Sequence, residues 1–251
     1  MFLRDLWPPR KRLPHFLVLG TQKGGTTSLQ KLLEQHPGVY MPPCKEVHYF
    51  SLHADESPSW YASHYQNAGW GTKRGDITPF YLFHPQAPER IHALLPRVRL
   101  IALLRDPVER TLSQYFHARR HGFESLDLGE ALAAEPQRLA TGEAYSFQKH
   151  SYVARSRYLE QLDRYESLFP RKRMLVLKSE DLFNQTQSTW KQIQQFLKLR
   201  DIPLPMTLPR ANAGQGEANK IAPYVREQLK SELAATAAGV KARYGIDWGW
   251  D

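Results

Sequence analysis

A lysine and three consecutive hydroxyl residues follow a short apolar run near the start of the chain, in the stretch FLVLGTQKGGTTSL. Glycines in the same stretch allow the backbone to turn sharply. The hydroxyls then fall at the start of a predicted helix, where unpaired N–H groups and the positive end of the helix dipole attract anions. The stretch therefore predicts a phosphate-binding loop whose contacts come from Lys23, Gly24, Gly25, Thr26, Thr27 and Ser28.

The spacing of Gly20 and Gly25 matches the Walker A pattern G-x-x-x-x-G-K-[ST], but Thr26 stands at the lysine position and the lysine has moved to Lys23. A nucleoside triphosphatase needs that lysine on the β- and γ-phosphates, and it needs an acid at a strand end for Mg²⁺. No apolar run followed by Asp supplies that acid. The loop therefore predicts a phosphate-bearing ligand other than a metal-bound triphosphate. A tight strand-to-helix turn is the alternative, although turn glycines alone require neither a lysine nor three hydroxyls.

The net charge of +9 comes from 34 basic and 25 acidic residues in a chain of 251. It indicates an anionic partner and leaves open a nucleic acid, a polyanionic glycan, a nucleotide or an anionic membrane surface. Cys44 is the only cysteine, which excludes an intrachain disulfide and a cysteine-based structural zinc site. No run approaches the roughly 18 apolar residues of a membrane span. No secretion signal is recognisable either, so we expect a cytoplasmic location unless a membrane anchor is missing from the sequence.

Apolar periodicity predicts strands alternating with helices along the chain. The strands are expected at 16–19, 98–104 and 174–177, and the helices at 27–35, 87–95, 108–120, 156–169, 187–197 and 224–244. This order is typical of an α/β fold with a P-loop-like, doubly wound, mainly parallel sheet flanked by helices. We expect one domain over 15–251 behind a basic, proline-rich arm over 1–14. The segment 121–150 lacks sustained periodicity, so it is predicted to be a mobile or variable surface region with at most a short helix at 126–134.

Ligands of such sheets bind beyond the carboxyl ends of the strands. The phosphate-binding loop follows Leu19, and Arg105 follows Leu104. We therefore expect the loop and Arg105 to converge in one cleft.

Three segments together resemble the sulfotransferase superfamily, specifically the heparan-sulfate-type and related bacterial carbohydrate sulfotransferases. These segments are TQKGGTTSL, KEVHYF and RLIALLRDPVERTLSQY, and weaker similarity continues through RYLEQLDRYESLFPRKRMLVLKSEDL to the closing YGIDWGW. The resemblance covers nearly the whole chain. It implies a sulfonyl donor, 3′-phosphoadenosine 5′-phosphosulfate (PAPS), with 3′-phosphoadenosine 5′-phosphate (PAP) as product. It implies no metal, a carbohydrate or other hydroxyl-bearing acceptor that can itself be anionic, and no nucleic acid partner.

The resemblance also assigns residues to the donor. The loop containing Lys23 would hold the 5′-phosphosulfate, and a single phosphate bonded to a sulfonate needs no Mg²⁺ to bridge two phosphates. Arg105 would engage the 3′-phosphate as a planar fork, with the Ser113 hydroxyl as a further donor. The alternative for Arg105 is an ion pair with a nearby acid, and the alternative for Ser113 is an ordinary helix position. Lys220, in the polar loop before the last helix, is a further donor-side cation.

Catalytic roles follow from the same resemblance. Glu46 would accept the proton of the acceptor hydroxyl, and Lys23 would stabilise the charge that develops on the bridging oxygen. A carboxylate is a weak base at neutral pH, so we expect the apolar neighbours of Glu46 to raise its pKa, opposed by Lys45 and Lys23 if they lie close. His48 would share a side with Glu46 on an extended segment and orient the base or the acceptor. Packing of His48 among aromatic neighbours is the alternative.

The sequence departs from the heparan-type pattern in a segment that bears on the acceptor. Heparan-type enzymes tend to have a lysine just before the Thr-Pro of DITP, and Ile77 stands there. This weighs against a heparan-like acceptor and leaves Asp76 as a candidate contact. Trp60 is a second candidate for stacking on a sugar, although its helical spacing with Tyr61 and Tyr65 favours a packed helix. Two other functions remain open at this point, a P-loop nucleotide kinase and a non-enzymatic polyanion-binding protein.

Overall fold

The structure, a computed structural model, describes residues 12–205, 208 and 216–250. The chain forms two compact units. Unit 1 comprises residues 1–103 and 162–211, and unit 2 comprises 104–161 and 212–251. Most of the predicted arm over 1–14 lies outside the described residues, so the predicted domain bounds stay a prediction.

A five-stranded sheet forms the centre of unit 1. Its order is β2-β3-β1-β4-β5, and β1 pairs in parallel with β3 and β4, as β2 does with β3. The strands are β1 (Phe16–Gly20), β2 (Val39–Tyr40), β3 (Lys73–Ile77), β4 (Arg99–Leu104) and β5 (Met174–Lys178). The predicted α/β class with a parallel sheet is therefore confirmed.

Helices connect and flank these strands, as the apolar spacing predicts. They are α1 (Thr26–Glu34), α2 (Pro58–Ser63), α3 (Phe80–Phe83), α4 (Ala87–Leu94), α5 (Pro107–Arg120), α6 (Leu128–Ala140), α7 (Ala144–Lys149), α8 (Tyr158–Glu166), α9 (Ser179–Asn184), α10 (Thr186–Leu197) and α11 (Pro223–Tyr244). Within the described part of the chain, none of them is long and apolar enough to cross a bilayer.

The core of unit 1 lies between one face of the sheet and helices α1, α9 and α10. Phe16 and Val18 of β1 pack there with leucines of α1 and with the fully buried Trp190 of α10. Leu17 and Leu19 are equally buried and point to the other face, because side chains alternate along a strand. Burial on both faces fixes the register of β1, and so the position of the loop that follows it.

Strand β3 has no sequence signal of its own, because its residues, KRGDI, form no apolar run. Gly75 is required there by space. A Cβ on Gly75 would lie 2.2 Å from the Phe16 ring, so the strand can pair with β1 only with a glycine at this position. The buried carboxylate of Asp76 breaks the apolar pattern a second time.

The prediction that 121–150 contains at most a short helix at 126–134 is wrong, whereas the predicted surface location is found for most of these residues. Helices α6 and α7 occupy most of the segment, and α6 begins at a capping box in which Asp127 and Glu130 each accept from the other's backbone N–H. Glu135 is buried and accepts the backbone N–H groups of three successive residues, 152–154, at 2.6 to 3.0 Å. The D-x-x-E spacing of this box was the signal available in the sequence.

Candidate active site

The loop after β1 is fixed to the neighbouring strand. The backbone N–H and the Oγ1 of Thr21 both donate to the carbonyl of Leu103, at 2.8 and 3.0 Å. The N–H of Gly24 donates back to the Thr21 carbonyl at 3.0 Å, and Lys23 and Gly25 adopt left-handed φ angles of 69° and 86°. These bonds close a tight turn at the carboxyl end of β1.

Gly24 allows this turn to pack closely against its surroundings. A Cβ on Gly24 would lie 2.5 Å from Thr21 Oγ1 and 2.9 Å from the Leu103 carbonyl oxygen. The Gly24 carbonyl also accepts a hydrogen bond from Ser179 Oγ of α9 at 2.8 Å. The glycine is therefore needed for the shape of the loop, in addition to any contact with a ligand.

The amino end of α1 has the features of an anion site. Gly25 is its N-cap residue and supplies no side-chain cap, and no acidic residue stands in the first turn. The first N–H groups of a helix have no partner within the helix, and together with the helix dipole they favour a negative group there. Of the predicted hydroxyls, Thr26 and Ser28 are buried, whereas Thr27 is partly exposed. Thr27 is therefore the best placed of the three for a ligand contact.

Glu46 lies between two basic side chains. Its Oε1 is 3.5 Å from Lys45 Nζ, and its Oε2 is 3.4 Å from His48 Nε2. Lys45 Nζ also donates to Thr27 Oγ1 at 2.6 Å. The segment predicted to carry the base thus contacts the first turn of α1. Lys45 itself was missed as a site residue, because a lysine beside a glutamate has no distinguishing pattern.

The backbone brings Glu46 and His48 together differently from what we expected. The segment is not extended, since both residues adopt left-handed φ angles, 63° and 57°. Non-glycine residues are uncommon in this region, and such strained residues cluster at functional sites. The predicted proximity of the two side chains is therefore found, but its predicted cause, an extended strand-like segment, is wrong.

The expected rise in the Glu46 pKa is also wrong in direction. Burial pushes this pKa upward, but the hydrogen bond from His48 and the charge of Lys45 outweigh burial, so the pKa lies below its ordinary value. The side chain is 31% exposed, which limits the effect of burial. Glu46 is therefore an ionised, oriented carboxylate in this structure.

A buried carboxylate supports this segment from below. Asp76 accepts hydrogen bonds from the hydroxyls of Tyr61 at 2.8 Å, Thr78 at 2.8 Å and Tyr81 at 3.0 Å. The Thr78 hydroxyl in turn accepts a long hydrogen bond, at 3.4 Å, from the backbone N–H of His48. The Tyr81 hydroxyl accepts one of the same length from the backbone N–H of Phe50. Asp76 has no exposed surface, and burial raises its pKa against these hydrogen bonds. Its placement argues against direct contact with an acceptor and favours a positioning role.

Ile77 and Trp60 occupy different environments. Ile77 is buried in the core of unit 1, so the position at which related enzymes tend to have lysine is used here for packing. Trp60 is partly exposed on α2, and its ring stacks on that of Tyr49 at a centroid distance of 6.3 Å. Tyr49 directly follows His48 in the chain. Trp60 therefore contacts a residue next to the candidate catalytic segment.

Three predicted donor contacts belong to unit 2. Arg105 is partly exposed between β4 and α5, and its carbonyl accepts from the hydroxyl of Tyr158 at 2.8 Å. Ser113 is partly exposed on α5, and Lys220 is exposed at the end of a 3-10 turn that begins at Glu217. Their roles in binding a donor stay predictions.

Asp106, next to Arg105, caps α5. Its Oδ1 accepts from the N–H groups of Val108 and Glu109 at 2.9 and 3.0 Å, and its Oδ2 accepts from Trp250 Nε1 at 2.7 Å. The closing tryptophan-rich tail thereby fixes the turn that presents Arg105.

The family model for the sulfotransferase domain matches residues 13–210. The chain belongs to the sulfotransferase domain family. A crystal structure of a sulfotransferase from Alicyclobacillus acidocaldarius has a TM-score of 0.79 at 26% identity, covering 93% of this chain and 96% of that one. The fold of this sulfotransferase domain is therefore shared over nearly its full length.

Two curated relatives are also similar to this sulfotransferase domain. Heparan sulfate glucosamine 3-O-sulfotransferase 6 of Homo sapiens is 30% identical over 197 residues, which cover 78% of this chain and 55% of the relative. Membrane-associated sulfotransferase kil1 of Dictyostelium discoideum is 42% identical over 106 residues, covering 41% of this chain and 22% of the relative. The chain thus spans about half or less of the length of these relatives.

Proposed function

We propose that this protein transfers the sulfonyl group of PAPS to a hydroxyl, or less readily an amine, of a carbohydrate or glycoconjugate. The observation that carries the proposal is the contact between the segment of the candidate base and the predicted phosphate-binding region. The oriented carboxylate of Glu46 is joined through Lys45 to Thr27, in the first turn of the helix that follows the phosphate-binding loop.

The loop is suited to the phosphosulfate of the donor. The uncapped amino end of α1 offers N–H groups, and Lys23 and Thr27 add an ammonium and a hydroxyl. The closely packed Gly24 leaves no room for a side chain on the turn. By resemblance, Arg105, Ser113 and Lys220 would hold the 3′-phosphate side of the nucleotide.

In the transfer, the acceptor oxygen forms a bond to sulfur while the bond from sulfur to the bridging phosphate oxygen breaks. The electron pair of the broken bond stays on that bridging oxygen, which leaves as part of PAP. The hydroxyl proton moves to Glu46, and His48 holds this carboxylate in place through its Nε2. The charge on the leaving oxygen would be stabilised by Lys23.

The acceptor proposal rests on the relatives and on the aromatic surface beside the segment. The human relative is named for 3-O-sulfonation of a heparan sulfate glucosamine, which supports a sugar hydroxyl as acceptor. The ring of Trp60, partly exposed and stacked on the buried ring of Tyr49, is flat and of the kind that packs on sugar faces. The core position of Ile77 supports an acceptor that differs from heparan sulfate.

The alternatives receive less support. A nucleotide kinase would require the Walker lysine that Thr26 replaces, and a polyanion-binding protein without activity leaves the Glu46 geometry unexplained. Among the described residues, no cluster of three or more His, Cys, Asp or Glu is arranged to hold a metal. Metal independence nonetheless stays a prediction, as does the cytoplasmic location.

The proposal is tested by incubating the protein with labelled PAPS and a panel of neutral and anionic glycans, with and without EDTA. We expect label on a glycan hydroxyl, formation of PAP, and activity that persists in EDTA. Turnover of ATP that depends on Mg²⁺, without transfer from PAPS, would instead identify a kinase. Tight heparin binding without any stabilisation of the fold by PAP would identify a polyanion-binding protein.

A further inference from the structure

Two neighbouring cavities lie in unit 1. The larger has a volume of about 510 Å³ and the smaller about 300 Å³, and the linings of both include Ala93 and Leu94 of α4. The shared residues place the two cavities side by side at the end of α4, and we call the pair the groove. The proposed transfer reaction assigns no role to the larger cavity, and in the smaller one it involves only Tyr49, which stacks under Trp60.

The larger cavity lies at the opposite end of the sheet from the phosphate-binding loop. It is lined by His15, which precedes β1, and by the first residues of β3 and β4, Lys73 and Arg99. Strand β1 is five residues long, so its length alone separates the cavity from the loop by about 16 Å. The groove is thus a separate site from the one that holds the donor.

This larger cavity is basic. Lys73, Arg97 and Arg99 line it together with apolar residues, and no acidic residue does so within the described part of the chain. None of the three cations forms an ion pair among the described residues. A fourth cation, Arg173, donates to the Arg97 carbonyl at 2.7 Å. Among the described residues, the cavity therefore concentrates positive charge with no lining side chain of opposite sign.

Two neighbouring groups respond to this charge. The pKa of His15 is lowered to about 4 by burial and by the charges of Arg74 and Lys73, so this histidine is neutral. The pKa of Arg99 is lowered by burial and by Arg173. Burial is the largest cause of both shifts, and the neighbouring cations lower both pKa values further.

The smaller cavity is apolar. Its lining is Tyr49, Phe50, Ala54, Pro58, Ala93 and Leu94, with Arg90 as the one charged member. The guanidinium of Arg90 already donates to the Phe50 carbonyl at 3.3 Å and to Gln86 Oε1 at 2.7 Å. This compartment therefore suits a hydrocarbon chain better than a second charge.

We propose that the groove binds an amphiphile with a phosphate head group and a hydrocarbon tail, the chemistry of an anionic phospholipid. The head group would contact Lys73, Arg97 and Arg99, and the tail would pass Ala93 and Leu94 into the apolar compartment. A sulfated polysaccharide would satisfy the cations but has no group to fill that compartment. The proposed ligand would also neutralise part of the +9 net charge at a place away from the donor site.

The test measures binding of dihexanoyl phosphatidic acid, below its micelle concentration, to the full chain by calorimetry. Lys73→Gln combined with Arg97→Gln removes two head-group contacts, and Ala93→Trp adds a bulky ring at a residue that lines both cavities. We expect each variant to weaken binding roughly tenfold or more. Lys31→Gln combined with Lys191→Gln, and Ala133→Trp, are matched controls at exposed positions outside the groove, and they should leave binding unchanged.

A second arm separates the sources of such a ligand. Sedimentation with phosphatidylcholine vesicles containing phosphatidylglycerol, lost in the Lys73→Gln/Arg97→Gln variant, would assign the site to a lipid in a bilayer. Binding of the short-chain lipid without sedimentation would assign it to a soluble amphiphile, and both outcomes support the proposal. Transfer from PAPS should persist in every groove variant, so this proposal and the proposed function fail separately.

Three results would overturn the proposal. Glycerol 3-phosphate that binds as tightly as the lipid would show a site for the anion alone. Dihexanoyl phosphatidylcholine that binds equally well would show that the cations play no part. Tight binding of heparin in the groove, lost in the Lys73→Gln/Arg97→Gln variant, with no affinity for the short-chain lipid would show a polysaccharide site.

Discussion

Lys45 Nζ lies 2.6 Å from Thr27 Oγ1, and this one contact joins the segment of the candidate base to the first turn of the donor helix. The same ammonium is 3.5 Å from Glu46 Oε1. A negatively charged donor bound at this turn would interact with the Lys45 ammonium. The effect of that ammonium in lowering the Glu46 pKa would then be smaller. The carboxylate would then become a stronger base when the donor is present.

Replacement of Glu46 by Gln keeps the size of the side chain but removes the proton acceptor. We expect turnover to fall by roughly 10² to 10⁴, because general base catalysis is lost. PAP should still bind, and the melting temperature should change little, since Glu46 is partly exposed. Glu56→Gln, at an exposed acid nearby in the chain, is the matched control for these measurements. Near-native turnover in Glu46→Gln would remove Glu46 as the base and make His48 the next candidate.

Replacement of His48 by Ala should move the pH dependence of kcat/KM. The hydrogen bond from His48 is the main interaction that lowers the Glu46 pKa, so its loss raises that pKa. Activity requires the ionised carboxylate, and it is lost as pH falls through this pKa. The acid limb of the profile should therefore shift to higher pH in His48→Ala but stay in place in His53→Ala, at an exposed histidine. An unmoved limb with reduced kcat would mean that His48 acts on the acceptor instead.

Sequence periodicity predicts the parts of this molecule whose stability comes from apolar stripes. The strands at Phe16, Arg99 and Met174 and the long helix ending at Tyr244 lie within one or two residues of their predicted bounds. Periodicity does not predict strand β3, because the stability of this strand comes from pairing with β1 around a glycine. Such a tertiary cause leaves no trace in local pattern.

The candidate site shows the same division. The loop with Lys23 is predictable because phosphate binding at a helix start demands particular residue types at fixed spacing. The Glu46 segment is predictable only through resemblance, since its geometry depends on two left-handed residues. The relay from Asp76 is not predictable, because its carboxylate meets Tyr61, Thr78 and Tyr81 only after folding.

Replacement of Lys23 by Ala should weaken binding of both PAPS and PAP. Loss of one charge-assisted contact is worth about 1.5 to 3 kcal/mol, while the backbone donors of the loop remain. Calorimetry with PAP measures this loss. Lys31→Ala removes the same charge from an exposed position of α1 and should leave the affinity unchanged. Unchanged PAP affinity in Lys23→Ala would show that the loop does not hold the donor.

Replacement of Arg105 by Ala tests the choice of nucleotide. A guanidinium on the 3′-phosphate contributes only to nucleotides that carry that group. We therefore expect Arg105→Ala to weaken binding of PAP far more than binding of adenosine 5′-monophosphate, measured by calorimetry with both ligands. Equal losses for the two nucleotides would mean that Arg105 serves the structure, as a partner of a neighbouring acid.

Thr78→Val tests the relay from Asp76 to the catalytic segment. The change keeps the shape of the side chain but removes the hydroxyl that lies between the Asp76 carboxylate and the backbone N–H of His48. We expect kcat to fall while PAP affinity is kept, with a loss of about 1 to 3 kcal/mol in the free energy of unfolding. Thr72→Val, at an exposed turn of unit 1, is the matched control. A loss of stability without any change in kcat would confine the relay to a structural role.

The relay also predicts how the stability of this protein depends on pH. Burial raises the Asp76 pKa in the folded state, so the folded protein binds this proton more tightly than the unfolded chain does. The resulting stabilisation is fully present below the unfolded pKa, about 3.9, and is lost as pH rises through the folded value. Asp76→Asn cannot ionise, so its free energy of unfolding relative to the native protein should improve as pH rises across this window. Urea unfolding of both proteins from pH 4 to 8 measures the difference, and a constant difference would show that Asp76 is ionised with the same ease in both states.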